Sequence, residues 1–264
     1  MIASLVRIIL GVALLLSLLM WSFQERLLFF PRPLESRPAP RPNLEDLTLV
    51  AADGTRLRGW LVKESATPAP LVVYFGGNAE EVSWLVGVAS RFVGWSLLLV
   101  NYRGYGESEG RPGEKELFQD ALAIYDYAKL RPDVNPDRIV AMGRSLGSGV
   151  AVHLAAHRPL RGVILVSPYD SIAEVGRRHY PFLPVSLMLR HRFDSLALAP
   201  RADGPLLCLV ASEDRIIPAA HSRVLFEAWR GAKTWREVPR SDHDSISGEP
   251  EYWRSIEGFL RALR

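Results

Sequence analysis

The 264-residue sequence contains a single cysteine, Cys208. An intramolecular disulfide is therefore excluded, and no Cys/His cluster with metal-ligand spacing exists. Concentrated positive charge is absent too. The formal net charge is +3, and the excess is mostly arginine scattered along the chain. With no lysine-rich block and no basic helix interleaved with aromatics, nothing points to nucleic acid as a partner. Internal repeats are missing, and low complexity is confined to one proline-rich stretch. Long uncharged runs are few, and the longest lies near the N-terminus. About half of the residues are hydrophobic (48%), so a chain of this length buries one substantial core, and one α/β domain is expected.

The uncharged run extends from Ile8 to Phe23. As a helix it reaches about 24 Å, slightly short of a ~30 Å hydrocarbon core. Extended back to Ile2, with Arg7 snorkelling to the interface, it spans. The following Gln24-Glu25-Arg26-Leu27-Leu28 holds no small-x-small cleavage site, so residues 1–30 are expected to be a retained, single-pass signal-anchor rather than a cleaved signal peptide. Trp21, Phe23, Phe29 and Phe30 suit a membrane interface. Arg7 on one side and Arg26 and Arg32 on the other leave the orientation open. Residues 31–43 contain Pro31, Pro33, Pro38, Pro40 and Pro42 and read as a stiff, extended tether.

From residue 44 to 264 the pattern changes. Leu47–Val50 and Arg56–Val62 flank Asp53-Gly54, a hairpin signal. Further strands are expected at 71–75, 96–100, 138–142, 162–166, 205–210 and 234–238. Helical runs fall between them near 79–93, 114–130, 145–157, 219–230 and 250–263. This alternation predicts a mostly parallel eight-stranded sheet with helices on both faces. Residues 171–200 break it and read as a cap insert. Its centre, Tyr180 to Leu189, is apolar and proline-punctuated, and Arg177, Arg178, Arg190 and Arg192 flank it. Phe182 and Leu187 are its candidate substrate-pocket residues. The insert is either a short helix packed on the body, a lid over an acyl-chain pocket, or a surface for anionic lipid.

Chemistry concentrates at Gly143-Arg144-Ser145-Leu146-Gly147. This G-x-S-x-G follows an apolar strand and precedes small, helix-compatible residues, the context of a strained strand–turn–helix that lifts a nucleophilic serine above a sheet. Gly143 and Gly147 let strand and helix pass close to it. A serine needs a base, and the base needs an orienting acid, in the chain order serine, acid, histidine. Of the histidines far enough downstream, His243 follows the last strand and is favoured over His221. Asp214 follows the strand Pro205–Val210 and is preferred over Glu213; Asp170, Asp194 and Asp203 come too early. His153 and His157 fall within the helix after Ser145 and fit a packed or solvated face. Gly76-Gly77-Asn78 after the strand Leu71–Phe75 allows an amide to face a substrate oxygen, so the amides of Asn78 and Leu146 are assigned as the oxyanion hole.

Four segments together, Phe75-Gly76-Gly77-Asn78-Ala79-Glu80, Asn101-Tyr102-Arg103-Gly104-Tyr105-Gly106-Glu107-Ser108, Gly143 to Gly149 and Ser167-Pro168-Tyr169-Asp170-Ser171, resemble the Bem46-like α/β hydrolases, a group with membrane-tethered members. The resemblance covers about residues 24 to 262. It implies an α/β-hydrolase fold, Ser145, Asp214 and His243 as a catalytic triad, and a more structural role for Asp170. The family usually carries histidine where this chain has Gly76, which leaves open how the loop is braced. The reaction expected is cleavage of a carboxylic ester or thioester of a small-molecule or lipid-like acyl substrate at a membrane, with no cofactor and no metal. A serine peptidase of the aminopeptidase type and a catalytically silent membrane scaffold are the other readings. No triad member is missing, which speaks against the scaffold. No acidic patch for an amine stands out, which speaks against the peptidase.

Overall fold

The computed structural model describes residues 4, 7, 11 and 21–264, the side chain of Leu187 excepted. Most of the run from Ile8 to Phe23, on which the expected anchor rests, lies outside the described residues. Among those described, no helix is long and apolar enough to cross a membrane.

Eight strands form one sheet: β1 Leu44–Val50, β2 Arg56–Val62, β3 Ala69–Phe75, β4 Ser96–Val100, β5 Val134–Arg144, β6 Gly162–Val166, β7 Leu206–Ala211 and β8 Lys233–Val238, in the order β1-β2-β4-β3-β5-β6-β7-β8. The β1–β2 and β2–β4 pairings are antiparallel and the remainder parallel. The period-2 geometry of a strand sends alternate residues to opposite faces. Here both faces are apolar, so the inner strands read as continuous hydrophobic runs. Leu71, Val73, Ala141, Leu165 and Cys208 enter one core. Val72, Tyr74, Met142, Ile164 and Leu209 enter the other.

Helices cover both faces. The helices are α1 Trp84–Gly87, α2 Glu114–Lys129, α3 Leu146–His157, α4 Ile172–His179, α5 Val185–Met188, α6 Ser195–Leu198, α7 Ala219–Ala228 and α8 Pro250–Ala262. The first core takes Leu117, Ile124 and Tyr125 of α2, Val150 and Leu154 of α3, and Leu225 and Phe226 of α7. The second takes Leu85 of α1 and Tyr252, Trp253, Ile256 and Leu260 of α8. In α8, Pro250 occupies the first turn, where its missing N–H costs nothing, and the buried positions recur at helical spacing. Ile256 is fully buried; truncating such a residue to alanine costs about 2–5 kcal/mol.

Two expectations need correction. A helix over 79–93 does not form; only α1 and a 3-10 turn at Ala89–Arg91 do. The amides ahead of α1 are satisfied by side chains instead of a helical ladder: Val82 N donates to Asn101 Oδ1 and Ser83 N to the Glu81 carboxylate. Phe29, expected at a membrane interface, is 2% exposed and packs edge-on against His191 and Phe193. The proline-rich stretch lies along the body: Pro33 bridges Gly106, whose amide donates to Arg32 O.

Candidate active site

In a parallel sheet, ligand sites form beyond the carboxyl ends of the strands. Four loops meet at that end here, after β3, β5, β7 and β8.

After β5 the chain turns sharply into α3. Ser145 sits at φ 51°, ψ −119°, a strained conformation for a residue with a Cβ. The strain is held by its surroundings. Ser145 N donates to Val166 O at 2.9 Å, and Ser145 O accepts from Ser148 N and Ser148 Oγ. The flanking glycines are obligatory: a Cβ on Gly143 would lie 2.2 Å from Gly147 O, and one on Gly147 2.1 Å from Phe75 O.

The structure brings Ser145, His243 and Asp214 into one hydrogen-bonded chain. Ser145 Oγ is 2.9 Å from His243 Nε2, and His243 Nδ1 is 2.8 Å from Asp214 Oδ2. A carboxylate only accepts, so Nδ1 carries the proton and Nε2 is free to take one from the serine. The other carboxylate oxygen, Oδ1, accepts from the amides of Ile216 and Ile217 at 3.0 and 2.8 Å. Burial works to raise the Asp214 pKa, but the His243 hydrogen bond and charge and the Ile217 amide outweigh it and hold the carboxyl below its ordinary value. All three residues are 8% exposed. Ser241, whose Oγ donates to Val238 O, fixes the loop that delivers His243.

The turn after β3 lies beside Ser145; a Cβ on Gly77 would be 3.7 Å from Ser145 Cβ. The amides of Asn78 and Leu146, assigned to an oxyanion, donate to no other group among the described residues. Gly76 leaves the loop without the histidine of the resembling family, and three other side chains brace it. Tyr102 Oη donates to Gly76 O at 2.9 Å, Tyr105 Oη donates to Asn78 O, and the Glu80 carboxylate accepts from Gly77 N at 2.7 Å.

Glu80 and Arg144 escaped the sequence reading. Glu80 also accepts from Tyr74 Oη at 2.6 Å, Trp84 Nε1 at 2.9 Å and Arg144 Nη1 at 3.1 Å. Arg144 Nη2 then donates to His243 O at 2.9 Å. One ion pair therefore ties the turn after β3 to the loop that holds the imidazole. The signal was present, a charged residue at the variable position before the serine, but only the fold reveals its partner.

Other candidates lie elsewhere. His221 Nδ1 pairs with Asp170 Oδ1 at 2.9 Å and has no contact with Ser145. Glu213 is exposed. Phe182 is 97% exposed and is not among the residues that line the hollow against the cap; the turn between Pro181 and Pro184 turns it outward. The Leu187 side chain lies outside the description. His153 stacks on Phe118, with centroids 3.9 Å apart and planes at 5°. Among the described residues, no group of three or more His, Cys, Asp or Glu is placed to hold a metal ion.

Comparison with known proteins agrees with this architecture. A protein of Mycobacterium tuberculosis, Rv2307c, is 38% identical over 229 residues, covering 85% of this chain and 82% of its own. The alpha/beta hydrolase domain-containing protein WAV2 of Arabidopsis thaliana is 29% identical over 284 residues, covering 96% and 91%. This chain belongs to the α/β-hydrolase superfamily. Within it, the family model described as "Serine aminopeptidase, S33" matches residues 66–193. An uncharacterized membrane protein of Saccharomyces cerevisiae is 32% identical over 224 residues, 82% of this chain and 79% of its own. Among solved structures, the acetyl xylan esterase from a Paenibacillus species superposes with a TM-score of 0.70 at 22% identity, over 92% and 93% of the two chains. An esterase of Pyrococcus furiosus superposes with a TM-score of 0.70 at 19% identity, over 89% and 97%. At such identities the likeness concerns the superfamily fold.

Proposed function

We propose that this chain is a membrane-anchored serine hydrolase that cleaves a carboxylic ester or thioester through an acyl-enzyme. The observation that carries the reading is the chain of hydrogen bonds from Ser145 Oγ through His243 to Asp214, set at a strained turn in an α/β hydrolase. His243 Nε2 takes the serine proton as Oγ attacks the substrate carbonyl carbon. The Asp214 carboxylate stabilises the imidazolium that results. The amides of Asn78 and Leu146 receive the oxyanion, and the helix N-terminus behind Leu146 favours its charge. Collapse expels the alkoxide or thiolate, which leaves with the proton from His243. Water then attacks the acyl group with His243 again as base, and the acid is released. The anchored form of the reading rests on the uncharged run from Ile8 to Phe23, and a yeast relative described as a membrane protein supports it. The acyl substrate is small or lipid-like, and nucleic acid has no part.

Labelling with a fluorophosphonate tests the chemistry. The wild type is expected to be labelled and Ser145→Ala to be inert; equal labelling of the two ends the proposal. A serine aminopeptidase is the second reading, favoured by the description of the matching family model. Aminoacyl anilides hydrolysed faster than matched acyl esters decide for it.

A further inference from the structure

We infer that residues 21–30 form one wall of an acyl-chain pocket, so that the N-terminal helical segment belongs to the substrate site. The inference rests on the hydrolase reading above and deepens it. A cavity of about 290 Å³ lies between two elements: Leu27, Leu28 and Phe30 face it from the N-terminal side, and Ile172, Leu183 and Met188 from the cap. Its size is near the lower end of small-molecule sites, roughly 300–1,000 Å³, and these six residues are apolar.

The seat of the helix on the cap is specific. Gln24 is 5% exposed, and a buried amide must find partners. Gln24 Oε1 accepts from Arg190 N at 2.7 Å, and its Nε2 donates to Met188 O at 3.3 Å and to Trp21 O at 2.9 Å. The Arg190 guanidinium lies 5.0 Å from the centroid of the Trp21 ring. An apolar hollow closed by such side-chain bonds is a built feature.

Both walls are fastened to the two residues assigned to the oxyanion hole. On the helical side, Asn78 Nδ2 donates to Leu28 O at 3.1 Å, and Phe30 N donates to Asn78 O at 2.9 Å. On the cap side, Tyr169 Oη donates to Leu146 O at 3.0 Å, and three residues later Ile172 lines the cavity. Asn78 and Leu146 do not line the hollow themselves, but each anchors one of its walls, so the proposed path of the acyl chain runs from those amides into it. A larger hollow of about 580 Å³ between Val62–Ser65 and Phe92–Trp95 lies at the amino ends of the parallel strands, away from the nucleophile.

The test uses the full-length protein in detergent micelles with p-nitrophenyl esters from acetyl to dodecanoyl. In the wild type, kcat/KM should rise about fourfold per added methylene until the pocket is full. Leu27 is 56% exposed, so Leu27→Asp should fold; it is expected to flatten the profile. Met188→Trp keeps the lining apolar but fills space. It is expected to move the optimum to shorter chains, with about a tenfold or greater loss on the longest ester, because two lost methylenes amount to roughly sixteenfold. Fluorophosphonate labelling of Ser145 is followed in parallel. Normal labelling with an unchanged profile in both variants overturns the pocket and leaves the hydrolase reading intact. So does an unchanged profile with membrane retention lost in Leu27→Asp, which makes the lining a lipid-docking surface. A wild type that is neither labelled nor active on any ester overturns the hydrolase reading itself.

Discussion

At the residue scale, the proposed chemistry turns on an acceptor-only carboxylate fixing which imidazole nitrogen is bare. Ser145→Ala should lower kcat by about 10⁴-fold or more, with circular dichroism unchanged. His243→Ala should cost nearly as much, because members of such a unit are not additive. His221→Ala should cost less than about tenfold by the same reasoning, since its partner is Asp170. The reverse ranking in kcat/KM transfers the role of base to His221. Glu80 and Arg144 act through the groups they hold. Their side chains are 9% and 17% exposed, and removing one partner of a buried pair costs about 3–5 kcal/mol. Glu80→Gln is the milder probe, because its amide oxygen still accepts from Gly77 N. We expect kcat to fall about ten- to a hundredfold with KM within about twofold, as for an oxyanion donor knocked out of place. A variant that loses thermal stability while keeping kcat assigns Glu80 to the scaffold alone.

At the scale of elements, strands and long helices were legible because their periodicity is strong and both sheet faces are apolar. The strands read at 96–100 and 162–166 coincide with β4 and β6. The failure at 79–93 has a physical cause. Glu80, Glu81 and Asn101 spend their polar atoms on loop amides, and a helix-compatible composition does not reveal that competition. The serine, histidine and acid were legible because each follows a predicted strand. The brace from Tyr102, Tyr105 and Glu80 was not, because it joins segments distant in sequence. The α2–α3 contact carries a titration. His153, stacked on Phe118 beside His157, has its pKa lowered to about 4, first by burial and then by the His157 charge. An unfolded histidine titrates near 6.5. Below that value the unfolded chain takes up a proton that the native chain refuses, so stability falls as pH drops from about 6.5 to about 4 and then levels. For a ring in partial contact with solvent the loss is on the order of 1–2 kcal/mol. His153→Phe keeps the stack and removes the titration. Its Tm should decline less than that of the wild type between pH 7 and 4; parallel declines remove His153 from the account.

For the whole molecule, the N-terminal segment is the unexpected component. The sequence pattern assigns residues 1–30 to a membrane, yet Phe29 is part of the core and Gln24 is laced to the cap. Hydropathy alone does not distinguish an aromatic residue at an interface from one in a core. A chain beginning at Pro31 should therefore be less stable than one beginning just before Trp21, by about 3–5 kcal/mol for the lost phenylalanine. Chemical denaturation of the two compares them directly, and equal midpoints remove Phe29 from the folding unit. Full-length protein should sediment with membranes and resist carbonate extraction; release by salt alone counts against the anchor.

The lone thiol gives this molecule a clock. Cys208 lies in β7 with 1% of its surface exposed, and burial pushes its pKa well above the ordinary range. As folded, it is neither reachable nor ionised, so it meets an alkylating reagent only when β7 opens to solvent. The rate of its modification, followed by mass under native conditions, then reports how readily the sheet interior opens. A cysteine placed anywhere on the surface would react against a silent background without altering the native sequence elsewhere.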